Sequence, residues 1–598
     1  MKLINKIVLV VTDIFLICAS FFLSLVIRYE GVVSLKYIQG RDWFYVLSII
    51  SIIIIFQLMG MYKKVWRYAG VHELLTVVEA VTLSAIPTIF AVMLKGGDLF
   101  PRSAIIIFWL INLIFIGGIR FILRLISEIR QTPRVTYQKR TLIVGADDAG
   151  EIILRELQRH SFLGYQPVGF VDEDRHKRDY KIHGVPVLGI IDEISSIIDH
   201  LKIDEIIITH PSASKVRKII ELTDKKFVKL KTIPSLPEII DGNIKVSQIR
   251  EVKIEDILDR QEVRLDIESI AKYLSGKTIL VTGAGGSIGS EISRQIVKFK
   301  PKKLILLGKG ENSIQTILIE LIKYNEIEII SFIGDIRDGV RMEKLFSKYN
   351  PDIIFHAAAH KHVDLMELNP TEAVSNNILG TLNLIELSLK YRSESFVLLS
   401  IDKAVEPVSV MGYTKKVSEM LLKSYNNKGG TKFIAVRFGN VLDSKGSVIP
   451  IFRKQILNGG PVTVTDPEMM RFFMTIPEAS QLVIQAAAIG KGGEIFILDM
   501  GKPIKIIDIA KNMIRLSGFE PEIDIPIKIS GIRPGEKLIE ELINNDEEKI
   551  NTKIEKIFQV VGKDSKIRKI EEEIDVLKNM VNKQYDEGIK PELIKIVQ

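Results

Sequence analysis

Two segments of the sequence hold residue types that could do chemistry together. The first, TILVTGAGGSIGSE at 278–291, is a short β-branched strand running into Gly283, Gly286 and Gly289. Glycines at that spacing allow a tight turn and let the backbone approach a pyrophosphate, which then sits on the N-terminus of the next helix. Ser287 and Ile288 lie inside the turn. The second, SIDKAVEPVSVMGYTKK at 400–416, places Asp402 beside Lys403 just after an apolar strand at Phe396–Leu399. A carboxyl and an amine on one short segment are a candidate acid and base for proton transfer. Lys415, Tyr413 and Met411 follow on a helical pattern. Together the segments predict a nucleotide-cofactor enzyme with a sugar nucleotide as its substrate class.

The intervening elements must position these groups. KLILLGKGE (303–311) reads as a second strand, ending at Gly308–Lys309. A site specific for NAD usually carries an acid there for the ribose hydroxyls. Here Lys309 stands instead, suited to a 2′-phosphate. FIGDIRD (332–338) places Asp335 and Ile336 at a third strand end, near the expected adenine. In HAAAHKHV (356–363), small Ala357 and Ala358 let the chain pass close to the cofactor. Upstream, TLIVGADDAGEIILREL (141–157) opens a second, thinner pattern of the same kind, with Gly145 and Gly150 and an open question of ligand. Alternating strands and helices predict parallel sheets. The expected domains are a four-helix transmembrane region (1–130), a Rossmann-like domain (138–245), a linker (246–276), a catalytic domain (277–563) and a charged, peripheral helical tail (564–598). The fold class is thus an α-helical membrane domain followed by two α/β Rossmann-like domains.

Four apolar runs, Ile7–Ile27, Trp43–Met61, Leu74–Leu94 and Ala104–Ile119, each approach the roughly 20 residues of a membrane-spanning helix. Lys2 and Lys6, then Lys63, Lys64 and Arg67, then Arg120, Arg124 and Arg130 flank them on one side, which places both termini in the cytoplasm. The net charge of +8 reads as membrane electrostatics, with no basic-aromatic stripe for nucleic acid. Asp13 and Glu79 fall inside predicted spans, where ionisable groups are functional candidates. The single cysteine, Cys18, cannot form a thiolate metal site alone, and no metal is expected.

In these motifs the chain resembles the membrane-anchored, CapD-like nucleoside-diphosphate-sugar 4,6-dehydratases of the extended short-chain dehydrogenase/reductase family. Further matching segments are HAAAHKHVDLMELNP (356–370), VRFGNVLDSKGSVIPIF (436–452), TDPEMMRFFMTIPEA (465–479) and GIRPGEKLIEEL (531–542). The resemblance implies a dehydratase acting on UDP-N-acetylglucosamine, with NAD or NADP that leaves the cycle unchanged. It also implies a homo-oligomer in the bacterial cell membrane, catalytic domains in the cytoplasm, serving polysaccharide or glycan synthesis. By resemblance Asp402 is the acid and Lys403 the base, and Lys415 holds the nicotinamide ribose. The family's Tyr-x-x-x-Lys tyrosine is replaced by Met411, so the base for the C4 hydroxyl is Asp402 or Tyr413. Tyr273 and Lys277 share the Tyr-x-x-x-Lys spacing but precede the glycine-rich strand. Lys361, His362, Glu367, Asn440, Arg471, Arg533 and Glu536 are the implied substrate contacts. The competing expectations are an epimerase on the same fold and a non-catalytic scaffold or nucleotide sensor.

Overall fold

The computed structural model describes residues 2–31, 42–62, 71–94, 102–130, 139–160, 164–223, 226, 228–233, 249–258, 265–562 and 570–598. Two compact units separate: Met1–Gln138 with Arg159–Tyr165, and Lys139–Gln158 with Gln166–Gln598.

The first unit holds α1 (Lys2–Arg28), α2 (Asp42–Leu58), α3 (Val71–Leu94) and α4 (Arg102–Arg130). Three stretches, Val8–Arg28, Leu75–Leu94 and Ser103–Ile122, are long and apolar enough to cross a membrane. Among the described residues, three of the four expected runs reach that length. At 17 residues α2 rises only about 26 Å, short of a hydrocarbon core of roughly 30 Å. Asp13 on α1 and Arg120 on α4 form a paired contact (Oδ1–Nη1 2.6 Å, Oδ2–Nη2 2.7 Å), both fully buried. Arg120, read from the sequence as a flanking charge, is thus an internal one. Asp13 acts structurally, because each charge buried alone would be costly. Glu79 lies exposed on α3.

The second unit contains two sheets. In the first, β1 (Lys139–Val144), β2 (Tyr165–Asp172), β3 (Val185–Ile190), β4 (Glu205–Ile208) and β5 (Lys229–Thr232) lie in the order β3-β2-β1-β4-β5, with α5 (Asp148–Arg159) after β1. The antiparallel pair Arg250–Glu251 closes one edge. The segment expected as a linker is therefore shared out. Arg250–Glu251 completes this sheet, Ile254 and Ile257 are buried beside Val216 and Ile509, and the helix Ile267–Leu274 packs Ile270 and Leu274 under the second sheet.

The second sheet comprises β6 (Thr278–Thr282), β7 (Lys303–Gly308), β8 (Glu328–Ile333), β9 (Ile353–His356), β10 (Ser395–Ile401), β11 (Lys432–Phe438), β12 (Ile495–Leu498), β13 (Glu547–Asn551) and β14 (Ile557–Gly562). Their order is β8-β7-β6-β9-β10-β11-β12-β14-β13. The first seven are parallel and the last two antiparallel. The central strands are buried almost throughout and mostly apolar because helices cover both faces. The helices that matter to the site are α6 (Ser287–Ile296), α7 (Glu311–Leu321), α8 (Gly380–Lys390) and α9 (Val410–Tyr425). Strand order reverses between β6 and β9, so the crevice at their carboxyl ends is where such sheets take ligands.

The charged tail is not peripheral. In α10 (Glu571–Asn582) and α11 (Asp586–Val597), Ile574, Leu577, Ile589, Leu593 and Ile596 are buried in the same cluster as Met411, Val417 and Leu421 of α9. The charges face outward, so they mask the apolar stripe in a composition reading.

Candidate active site

The phosphate turn forms first. β6 ends at Thr282, and Gly283 adopts φ +64°, which favours glycine. A Cβ there would lie 2.8 Å from the Ala357 carbonyl carbon and the Ala358 nitrogen. A side chain at Gly289 would run into the Gly283 carbonyl. The backbone is thus bare where α6 begins, capped by Gly286. These residues fit a dinucleotide pyrophosphate, which would meet free amides at the start of a ten-residue helix. His356 braces the turn from below. Its ring bridges Thr282 Oγ1 (2.8 Å) and Thr381 Oγ1 (2.9 Å), and burial pushes it down to about 3, so it is neutral.

At the adenosine end Lys309 is largely exposed and sits 3.3 Å from Asp335 Oδ2. The Arg337 guanidinium grips the same carboxylate at 2.6 Å and holds it well below the usual range. Asp335, expected at the adenine, is thus already engaged by two cations. Ile336 is buried against Gly380 as packing beneath that corner.

The reacting end is built by β10 and α9. Asp402 is fully buried; its Oδ1 accepts from Lys403 Nζ at 3.1 Å. Its Oδ2 has no hydrogen-bond partner among the described residues. A Cβ added at Gly439, which lines the cavity, would lie 3.3 Å from that oxygen. Lys415 donates to the Leu399 carbonyl (2.8 Å), and burial pushes its amine down to about 8. Met411 and Lys415 are four apart, on one face of α9, and both line the cavity. Tyr413, two residues on, turns to the apolar cluster behind the helix, outside the cavity lining. It is therefore not placed to serve as base. Tyr273 bonds the Ser395 hydroxyl and Lys277 pairs with Glu394, away from the cavity.

A cavity of about 650 Å³ joins these parts. Gly283, Gly286, Ser287, Ile288, Gly289 and Ala357 line one end, and Lys361, His362, Asn440, Arg471, Arg533 and Glu536 the other. Lys361 Nζ lies 3.4 Å from Ser444 Oγ, with burial and the nearby Lys403 charge lowering it. Glu367 departs from expectation. Its Oε1 accepts from the Val410 amide (2.6 Å) and its Oε2 from Lys590 Nζ (2.8 Å), so it caps α9 instead of lining the cavity.

Three groups escaped the sequence reading. Lys445 straps the phosphate turn, its amide donating to Ser287 Oγ (3.0 Å) and its amine to the Gly285 carbonyl (3.3 Å). Arg437, fully buried, joins Glu419 (2.7 Å) to Glu547 (2.7 Å), while Ser400 Oγ donates to Glu419 (2.6 Å). The guanidinium helps hold Glu547 down to about 2. This network locks α9 to β10 and β11. Third, Glu540 lies between Lys403 and Arg471. All three join residues distant in sequence, so no spacing announces them.

Residues 279–562 match a family model described as "Polysaccharide biosynthesis protein", and residues 57–234 one described as "CoA-binding domain". The chain is 44% identical over 563 residues to the capsular polysaccharide biosynthesis protein CapD of Staphylococcus aureus, covering 92% of this chain and 93% of that protein. It is 34% identical to a UDP-N-acetylglucosamine 4,6-dehydratase (inverting) of Campylobacter jejuni, over 48% of this chain and 83% of that one. It is 32% identical to a UDP-glucose 4-epimerase of Rickettsia felis, over 45% of this chain and 79% of that one.

Proposed function

Because the chain belongs to the CapD-like family of polysaccharide biosynthesis proteins, we propose that it is an NAD(P)-dependent 4,6-dehydratase of UDP-N-acetylglucosamine. The observation that carries this reading is the Asp402–Lys403 pair at the end of β10, Asp402 buried and Lys403 lining the same cavity as Lys415. An epimerisation at C4 needs no acid at C6 and no base at C5, whereas a dehydration needs both.

The glycine-rich turn and Lys415 would hold the dinucleotide, which when bound supplies a hydride acceptor and donor. The remaining steps are proton transfers by this chain. Asp402 takes the proton of the C4 hydroxyl, since Met411 cannot ionise and Tyr413 faces away. The C4 ketone acidifies C5, and Lys403 removes that proton. Asp402 returns its proton to the C6 hydroxyl, which leaves as water. Lys403 then reprotonates C5, so both groups end as they began. Arg471 and Arg533 suit the diphosphate, because a planar guanidinium makes paired bonds to phosphate oxygens. The apolar helices of the first unit support membrane anchoring.

Asp402→Asn and Lys403→Met should each lower turnover about 10²–10⁴-fold, the usual worth of acid–base catalysis, with bound cofactor retained. Loss of one water from UDP-N-acetylglucosamine, followed by mass spectrometry, measures it. Lys403→Met should also lose exchange of the C5 proton with solvent deuterium. Normal dehydration by this variant would remove the base and the preference over epimerisation.

A further inference from the structure

Glu540 is buried, 3% exposed, although it lies in the charged stretch GEKLIEEL. Its Oε1 stands 3.6 Å from Lys403 Nζ and 3.7 Å from Arg471 Nη2. No other ion pair is recorded for it among the described residues. Arg471 is itself fixed by the Met470 and Leu538 carbonyls at 2.8 and 3.0 Å. A carboxylate is costly to bury unless opposite charge meets it. Here both of its cations are site groups.

We propose that Glu540 is a positioning residue whose carboxylate offsets the positive charge that forms on Lys403 as it takes the C5 proton. The inference rests on the dehydratase reading and extends it to a residue from a distant part of the chain. The charge balance favours this role. Facing Lys403 are Asp402 on its own segment and Lys361 from the loop after β9, with Arg471 on the far side of Glu540; Lys415 on α9 lines the same cavity, and Lys537 donates to the Val405 carbonyl two residues on. Lys403 therefore shares this end of the cavity with like charge. Asp402 must be protonated when the C6 hydroxyl leaves, so it supplies no negative charge just before that moment. Glu540 is the carboxylate within 4 Å of Lys403 Nζ that takes no part in the proton transfers.

The consequence is a paired signature in the rate profile. Removing this charge makes Lys403 a weaker base but leaves it uncharged to a lower pH. In the full chain in detergent, Glu540→Gln should lower the plateau of kcat roughly three- to tenfold. Its acid limb should move down by about one pH unit, the least that an opposite charge at this range is worth. Glu540→Asp, which keeps the charge, should leave the acid limb near its original pH. Glu540→Ser repeats the measurement if the glutamine variant fails to fold, with retained cofactor as the folding check. An unmoved acid limb in the neutral variants, or an equal shift in Glu540→Asp, overturns the inference while the dehydratase reading stands. If the wild-type chain releases no water from UDP-N-acetylglucosamine at any pH, both fall together.

Discussion

Lys309 stands where a carboxylate would hold the two ribose hydroxyls of NAD, and it carries the opposite charge. It is exposed, and Asp335 beneath it is already held by Arg337. A 2′-phosphate would gain a charge-assisted contact there, worth about 1.5–3 kcal/mol. NADPH should therefore bind more tightly than NADH. Lys309→Glu should weaken NADPH roughly 10- to 100-fold and spare NADH. Fluorescence titration of the two dinucleotides checks this without turnover, and equal weakening of both would exclude a 2′-phosphate contact. The residues legible in the sequence were those held together on a short continuous segment: the glycine turn on one, and Asp402, Lys403 and Lys415 on another. Glu367 was misplaced because its neighbours Lys361 and His362 do line the cavity. One helical turn later, the chain has already passed behind the wall.

At the scale of elements, α9 governs the site, since it carries Met411 and Lys415 on one face. Its first amide, at Val410, is satisfied from outside by Glu367, which also ties in Lys590. A carboxylate at a helix N-terminus meets both an open donor and the positive end of the helix dipole. Glu367→Ala should cost about 1–2 kcal/mol in urea denaturation. Lys590→Ala should cost less, about 0–1 kcal/mol, because its amine is partly exposed and only the ion pair is lost. Equal losses would mean that the cap contributes nothing. Strand and helix alternation was legible because fully buried parallel strands are apolar runs. Tail packing was not. In α10 three consecutive acids, Glu571, Glu572 and Glu573, precede the buried Ile574, so charge hides the inward stripe. The second apolar run differs from its reading in the opposite sense. Composition gave it membrane length, yet the helix ends at Leu58.

At the scale of the whole molecule, the first α/β domain is bound to the catalytic one by a shared core. Val216, Ile254 and Ile257 are buried with Ile506, Ile509 and Met513. Fragment 139–598 keeps this core and should be soluble and active. Fragment 265–598 uncovers Ile506, Ile509 and Met513 and should aggregate, because contiguous apolar surface of that kind drives association. Size-exclusion chromatography of the two fragments, with cofactor content as the folding check, decides it. A monodisperse, active 265–598 would make the first domain a removable appendage. The first domain and catalytic domain are separable by motif in the sequence, but the residues that join them come from turns and helix faces without a motif.

The seating of α11 beneath α9 also dictates a timetable. A ribosome releases α9 well before residues 586–597. Until Ile589, Leu593 and Ile596 have emerged, one side of α9 is bare and Glu367 waits for Lys590. A chain released before α11 is made should therefore leave that side of α9 uncovered and the Glu367 cap without its Lys590 tie.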